Sequence, residues 1–242
     1  NYFLYFCPII HYNDISDTEC IINYEHDTLT QYDFNNDFFS LAMYHCFASV
    51  YILNQHDICY LFISNKQCFD NLLFNSHNSL PMLYDFSQSL YLPILNKNMN
   101  KLYFSDKYYN NPYICIDLFV ISYVLNNEFT VLDDIIIRSI LDMFFKHREI
   151  FNNNNNNNEQ IRAKYFTHLQ QYKEYSNKEL ITQMLQYKNT WSIYSVTYFF
   201  VQNYKEFIME KNLCIMNEYL NCVPEERDAQ FTTRIHENIF II

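Results

Sequence analysis

The chain has 242 residues, half of them hydrophobic, no glycine and a formal net charge of -11. An average chain of this length carries roughly seventeen glycines, and their absence excludes P-loops, Rossmann fingerprints, glycine-rich nucleotide flaps and the G-x-S-x-G elbow. The acidic balance opposes binding along a nucleic-acid backbone, and no apolar stretch is long enough to span a bilayer, so we expect a cytoplasmic protein that binds neither nucleic acid nor membrane.

The composition also bears on origin and redox state. Abundant Asn, Ile, Tyr and Phe with few Ala and Pro are typical of a strongly AT-rich genome, and we expect Asn to replace glycine at helix ends and turns. The eight cysteines form no C-x-x-C pair and mostly lie in apolar runs, which predicts reduced core thiols. The eight histidines show no paired metal-ligand spacing. Because the sequence starts without Met inside an apolar run, we expect a fragment of a longer product.

The first quarter of the chain predicts two strands and a helix. Apolar runs at 2–10 and 20–24 flank a polar turn cluster and predict a strand pair. Asp37 is a good N-cap, and apolar residues recur at helical spacing from there to about Gln55. Three short strands follow, at Ile58–Ile63, Leu72–Phe74 and Met82–Tyr84.

The rest of the chain predicts helices alone. The segment 113–126 is apolar nearly all round, as in a buried central helix, and carries one charge, Asp117. Four further helices are predicted, from the capping box Thr130-x-x-Asp133 to about Arg148, over 159–175, from the capping box Ser176-x-x-Glu179, and over 191–208. Seven consecutive asparagines, Asn152–Asn158, predict a solvated insertion. The segment 225–228 after Pro224 predicts a solvated turn, and the apolar stripe at 193–200 predicts core packing.

Three segments in order resemble the C-lobe of protein kinases. Asn71-Leu72-Leu73-Phe74 resembles N-I-L-x of the catalytic loop, 81–87 resembles the strand into D-F-G, and 117–122 resembles D-x-W-S-x-G of the buried helix F. Within the family, the segment 108–125 and Thr190-Trp191 are most similar to divergent kinase-like proteins of large DNA viruses. The resemblance implies an α+β, kinase-like fold, with the last strands of an N-lobe and the hinge at 1–26 and a mostly helical C-lobe at 27–242 that carries the insertion 152–158.

The resemblance also implies roles for three polar residues. Asn71 and Asp85 correspond to the residues that hold Mg²⁺ and the nucleotide phosphates. Asp117 corresponds to a structural aspartate that accepts backbone amides of the catalytic loop from inside the core, and a lone carboxylate in so apolar a helix needs buried donors.

The catalytic loop departs from the family pattern. Counting back from Asn71 places Lys66 at the position of the catalytic base, whereas aligning the preceding strand places Phe62 there. The catalytic-loop lysine is replaced by Cys68 or Ser64 in these two registers. Asp70 lies on the same loop and is a candidate for a displaced base.

The favoured hypothesis is therefore a pseudokinase that acts as a binding or scaffolding module for a protein partner. Since the phosphate flap and the strand lysine are missing, we expect Mg-ATP to bind weakly or not at all. Two alternatives stay open: the C-terminal part of an active, atypical ATP-dependent Ser/Thr protein kinase, and an unrelated α-rich interaction protein.

Overall fold

The fold was analysed in a computed structural model. It describes residues 9–16, 19–24, 36–62, 73–74, 81–83, 86, 89–95, 104, 106–127, 131–148, 155–227, 231 and 234.

The described chain begins with a two-stranded antiparallel ladder. Strand β1, Ile9–Ser16, pairs with β2, Glu19–Tyr24, with Tyr12 opposite Ile22. The second predicted strand, 20–24, is confirmed, whereas β1 shares only residues 9 and 10 with the first and runs through the polar cluster that was predicted as the turn; residues 2–8 lie outside the described residues. Ladder hydrogen bonds satisfy the backbone of polar and apolar residues alike, so local polarity did not mark the end of this strand.

Helix α1, Asn36–Gln55, ends where the sequence predicted. Its buried face carries apolar side chains at helical spacing: Phe39, Ala42, Met43, Cys46, Phe47, Val50 and Leu53. Asp57 lies two residues after the end of α1 and has φ 58°, the one positive φ among the described residues. Asp tolerates this left-handed conformation better than most residues, so an aspartate takes the place that glycine commonly fills after a helix.

Two further small sheets follow α1. Strand β3, Ile58–Cys59, pairs antiparallel with β6, Leu90–Tyr91, and β4, Leu73–Phe74, pairs antiparallel with β5, Pro81–Met82. The three strands expected here are present and shorter than predicted. Strand β6 was not predicted. It continues into a single helical turn, α2, Leu92–Leu95.

Beyond residue 115 the described chain is helical. The α-helices are α3, Ile116–Asn126; α4, Asp134–Lys146; α5, Asn155–Gln170; α6, Asn177–Met184; α7, Trp191–Tyr204; and α8, Glu210–Asn221. Short 3₁₀ turns cover Asp106–Asn110, Leu185–Thr190, Lys205–Phe207 and Pro224–Glu226. The five predicted helices are confirmed in type and order, and α8 is additional.

Helix starts show where sequence signals succeed and fail. Ser176 and Glu179 form the predicted capping box of α6. Helix α4 is capped by Asp133, whose Oδ1 accepts the Ile136 amide at 2.8 Å, rather than by Thr130. Helix α5 begins at Asn155, inside the asparagine run, so residues 155–158 are helical and the helix starts four residues before the predicted 159. A run of one polar residue carries no periodicity to mark a helix start.

The core is built around α7. All eleven residues from Trp191 to Val201 are buried, which confirms the predicted packing of the apolar stripe. Helices α1 and α8 pack on α7, α6 packs on α3, and α5 packs on α4. The fold is thus α+β and mostly helical, as expected. No described helix combines the length and apolarity that a bilayer crossing requires.

Candidate functional site

Asp117 lies on α3 in the interior, with no exposed surface. One carboxylate oxygen accepts a hydrogen bond from Nε1 of Trp191, the only tryptophan of the chain. The other accepts a hydrogen bond from Nη2 of Arg227 at 2.5 Å, and both side chains of this ion pair are fully buried. The carboxylate therefore has a buried cation and a buried neutral donor, as its position in an apolar helix requires.

Arg227 is held by further groups of α7 and the turn before it. Its Nη1 donates to Oγ1 of Thr190 at 3.2 Å, and its guanidinium lies 5.4 Å from the centroid of the Tyr194 ring. Although burial alone opposes the charged form, the attraction of Asp117 with other neighbours raises the pKa of Arg227 well above its ordinary value. We call Asp117, Thr190, Trp191, Tyr194 and Arg227 the Asp117 cluster.

The predicted solvated turn at 225–228 is wrong for Arg227. Pro224 starts a 3₁₀ turn that leaves Glu225 and Glu226 exposed and directs Arg227 inward, where only 6% of it is exposed. The local sequence could not show this, because the partner lies 110 residues away. A signal was nevertheless present: a lone carboxylate in an apolar helix calls for a cation, and the chain has five arginines.

The strand segment that enters the candidate catalytic loop is fixed by α7. The amide of Tyr60 donates to Oγ of Ser192 at 3.0 Å, and the amide of Phe62 donates to Oγ of Ser195 at 2.9 Å. Nδ2 of Asn111 donates to the Phe62 carbonyl at 3.0 Å. The resemblance implied that such amides reach Asp117; at these two positions serines on another helix accept them.

Phe62, one of the two positions assigned to the catalytic base, is a core residue. Its ring is fully buried and stacks on Phe199 with centroids 4.5 Å apart and an interplanar angle of 17°. The Tyr60 ring meets it edge-on at 5.3 Å. A buried hydrocarbon ring cannot take up a proton. In this register the residue at the position of the catalytic base therefore contributes to core packing and cannot act as an acid or a base.

The other candidate residues lie outside the described part of the chain: Ser64, Lys66, Cys68, Asp70, Asn71 and Asp85. What the structure describes between Asn71 and Asp85 is the β4–β5 ladder, in which Leu73 pairs with Met82. Within the described ranges no three His, Cys, Asp or Glu side chains form a group that could hold a metal ion.

A second buried guanidinium, that of Arg148, lies just beyond the end of α4. It donates to the carbonyls of Phe144, of Asn111 at 3.2 Å and of Ile114 at 2.9 Å. Its guanidinium lies 3.6 Å from the centroid of the Phe144 ring. Burial lowers the pKa of Arg148 from its ordinary value. These bonds hold the chain that leads into α3, and so they fix the start of the helix that carries Asp117.

A groove of about 600 Å³ lies between α5 and the 3₁₀ turn Pro224–Glu226. On its inner side His168 is almost fully buried, and its Nδ1 lies 2.9 Å from Oε1 of Glu225 without the alignment of a hydrogen bond. The hydroxyl of Tyr172 donates to the same carboxylate oxygen at 3.3 Å. Burial lowers the pKa of His168, against the opposing attraction of Glu225, so the imidazole is neutral at pH 7.

The buried thiols are poor nucleophiles. Cys46, Cys59 and Cys115 are free and fully buried, as the sequence predicted for core thiols. Burial raises the pKa of Cys59 to about 12, and it also raises the pKa values of Cys46 and Cys115. Because the thiolate is the reactive form, these residues serve packing rather than chemistry.

No protein-family model, curated protein or solved structure matches this chain.

Proposed function

We propose that the chain is a degenerate protein-kinase-like domain that acts as a binding or scaffolding module rather than as a phosphotransferase. The order of elements supports this proposal: a strand pair, a helix, short strands around the candidate loop, and then a helical region built on apolar helices. The buried Asp117 inside α3 is a second point of agreement.

One observation supports the proposed loss of catalysis. The Phe62 ring is buried in the core, where it stacks on Phe199, and the Phe62 amide donates a hydrogen bond to Ser195. If the strand alignment gives the correct register, the position of the catalytic base holds no carboxylate, and Asp70 is the remaining candidate on the loop. If Lys66 occupies the position instead, an ammonium replaces the carboxylate. Loss of a general base commonly lowers the rate by about 10² to 10⁴.

The first experiment measures phosphotransfer from radiolabelled ATP with Mg²⁺ to a generic protein substrate and to the chain itself. We expect no transfer that depends on Asp85. Asp85→Asn is compared with Asp106→Asn, a control at an exposed carboxylate in the 3₁₀ turn. A rate that is lost in Asp85→Asn and kept in Asp106→Asn would favour the active-kinase alternative, and Asp70→Asn would then test the displaced base.

The second experiment tests nucleotide binding and does not depend on catalysis. Thermal unfolding is followed with and without Mg-ATP. A ligand at 100 times its Kd stabilises the folded state by about 2.7 kcal/mol, so weak or absent binding gives a much smaller shift at millimolar ATP. A stabilisation of that size that Asn71→Ala removes would show a working nucleotide site.

The unrelated α-rich interaction protein is the second candidate, and one observation favours it. Both carboxylate oxygens of Asp117 are occupied by Trp191 and Arg227, while the amides of residues 60 and 62 go to serines of α7. An experimental structure decides between the two. Oxygens that share a Mg²⁺ lie at most about 4 Å apart, because each is about 2.1 Å from the ion. Asn71 and Asp85 oxygens far beyond that reach would end the kinase-like interpretation.

A further inference from the structure

We infer that the groove between α5 and the turn Pro224–Glu226 is a docking site for a lysine or arginine side chain presented by a partner protein. We call it the α5 groove; its lining includes Ala163, Lys164, Thr167, His168, Val223 and Glu225. The inference goes beyond the proposed function and does not depend on it, since none of these residues belongs to the kinase-like segments.

The shape of the α5 groove fits a segment of chain. Its volume of about 600 Å³ falls in the range of about 300 to 1,000 Å³ typical of ligand sites, and it opens to solvent. Ala163 and Val223 contribute small apolar side chains to its lining, from α5 and from the approach to the turn. Such surfaces suit the alkyl stem of a long basic side chain.

The charge of the α5 groove is set by Glu225. Its side chain is 38% exposed, and its Oε1 accepts a hydrogen bond from the hydroxyl of Tyr172 at 3.3 Å, which orients the carboxylate. Nδ1 of His168 lies 2.9 Å behind the same oxygen, and because burial lowers the pKa of His168, the neutral imidazole contributes no positive charge there. The carboxylate is therefore both oriented and available as an acceptor.

The neighbouring carboxylate differs in one respect. Glu226 forms an ion pair with Lys164, which belongs to the same lining. Among the described residues, Glu225 has the neutral imidazole of His168 beside it but no lysine or arginine in an ion pair with it. The α5 groove thus contains one paired carboxylate and one that lacks a permanent cation.

These features select the ligand. A cation at the end of an alkyl stem places the stem along the apolar lining and its N–H groups on Glu225, in a charge-assisted hydrogen bond. The net charge of -11 favours the approach of basic partners over long distances. An open groove holds one side chain of an extended segment, whereas a free amine would gain little from it.

The experiment follows the ring signals of His168 by NMR during titration at pH 7 with the blocked peptide acetyl-Ala-Ala-Lys-Ala-Ala-amide. We expect a saturable shift of the His168 signals. A peptide with norleucine in place of lysine keeps the stem and loses the charge, and we expect it to cause no saturable shift. Glu225→Gln should weaken binding about tenfold, the effect of losing one hydrogen bond to a charged group.

Two further variants sharpen the outcome. Lys164→Gln releases Glu226 and should tighten binding of the lysine peptide several-fold, whereas it would weaken binding of an anionic ligand. Glu174→Gln, at an exposed carboxylate beyond the end of α5, is the matched control and should leave binding unchanged.

Equal effects of the lysine and norleucine peptides, or weaker binding by Lys164→Gln, would overturn the inference. Putrescine binding as tight as the peptide would assign the site to free amines and overturn the partner-protein source. If Glu225→Gln fails to fold, the norleucine peptide and Lys164→Gln still decide. A negative nucleotide experiment leaves this inference in place, and a failed titration leaves the proposed function in place.

Discussion

Asp117 and Arg227 are buried charged residues of the described core, and their side chains form an ion pair with each other. A buried ion pair adds little net stability, because desolvation offsets attraction, yet removal of one partner leaves an uncompensated charge. Trp191 and Thr190 add hydrogen bonds to the pair, whereas Nε of Arg227 is buried without a partner.

We expect Arg227→Met to destabilise the fold by about 3 to 5 kcal/mol, because Asp117 would remain buried without its cation. Urea unfolding measures the change. The double variant Asp117→Asn/Arg227→Met should lose less than the sum of the two single changes, since it removes both charges. Additive losses would contradict this account.

A surface ion pair supplies the matched control. Arg162 and Asp142 pair between α5 and α4, with 40% and 65% of their side chains exposed. Arg162→Met should cost below about 1 kcal/mol, because water solvates the remaining charge. A similar cost for both arginines would show that burial is not the deciding factor.

Asp57 offers a test of a chain that uses no glycine. Its φ of 58° lies in the left-handed region, which L-residues occupy at a cost of roughly 1 to 2 kcal/mol and Asp at somewhat less. We expect Asp57→Gly to raise stability by about 0.5 to 1 kcal/mol, once the greater entropy of glycine in the unfolded chain is included. Asp57→Val should lower the thermal midpoint. A midpoint that falls in Asp57→Gly would mean that the side chain has another role.

At the scale of single elements, Ser176 is the one predicted N-cap that the structure confirms: α1 begins at Asn36, so Asp37 lies inside the helix, and α4 is capped by Asp133. The Ser176 hydroxyl accepts the Glu179 amide, and the Glu179 carboxylate accepts the Ser176 amide at 2.8 Å. Hydrogen bonds that the Glu179 carboxylate accepts from the Ser176 hydroxyl, at 2.7 Å, and from the Ser176 amide lower the pKa of Glu179 from its ordinary value.

We expect Ser176→Ala to destabilise the protein by about 1 kcal/mol through loss of the N-cap. Chemical denaturation measures the change. Thr182→Ala is the control: Thr182 is exposed in the middle of α6 and bonds only the carbonyl of Lys178. If the two variants lose equal stability, the cap does not fix the start of α6.

Sequence patterns predicted the elements that have a local cause. The end of α1 at Gln55 and the start of α6 follow from apolar spacing and from a cap. Helix α8 was missed although Leu213, Met216 and Leu220 recur at helical spacing.

The candidate site was predictable only in part. That Asp117 needs buried donors followed from its apolar helix, but their identity did not, since Trp191 and Arg227 are distant in sequence. The sequence also left two registers for the catalytic base. In one register the position of the catalytic base falls on Phe62, which the structure buries against Phe199. A contact between two rings so far apart in the sequence leaves no local sequence pattern that could predict it. Asn71 and Asp85 lie outside the described residues and remain predictions.

At the scale of the whole molecule, His168 couples stability to pH. Burial lowers its folded-state pKa below the ordinary 6.5, while Glu225 and Asp117 oppose the shift and Arg227 adds to it. At a pH between the two pKa values, His168 is therefore protonated in the unfolded chain and neutral in the folded chain. Stability is fully present above pH 6.5 and falls as the pH drops toward the folded-state pKa, by at most about 1.4 kcal/mol per pH unit.

We expect the thermal midpoint to decrease between pH 7 and pH 5, and His168→Gln to reduce that slope even where it lowers the midpoint overall. His147→Gln, at an exposed histidine just after α4, is the control and should keep the slope. An unchanged slope in His168→Gln would show that acid sensitivity arises from other groups.

The 110-residue interval between Asp117 and Arg227 has a consequence for synthesis on the ribosome. At about 5 to 20 residues per second, roughly 5 to 20 s separate the emergence of the acid from that of its cation. During that delay a nascent chain holds an apolar helix whose carboxylate has no counterion. The interior around Asp117 can close only when Arg227 arrives, so a prematurely terminated product that ends before Arg227 should be a preferred target of chaperones and proteases.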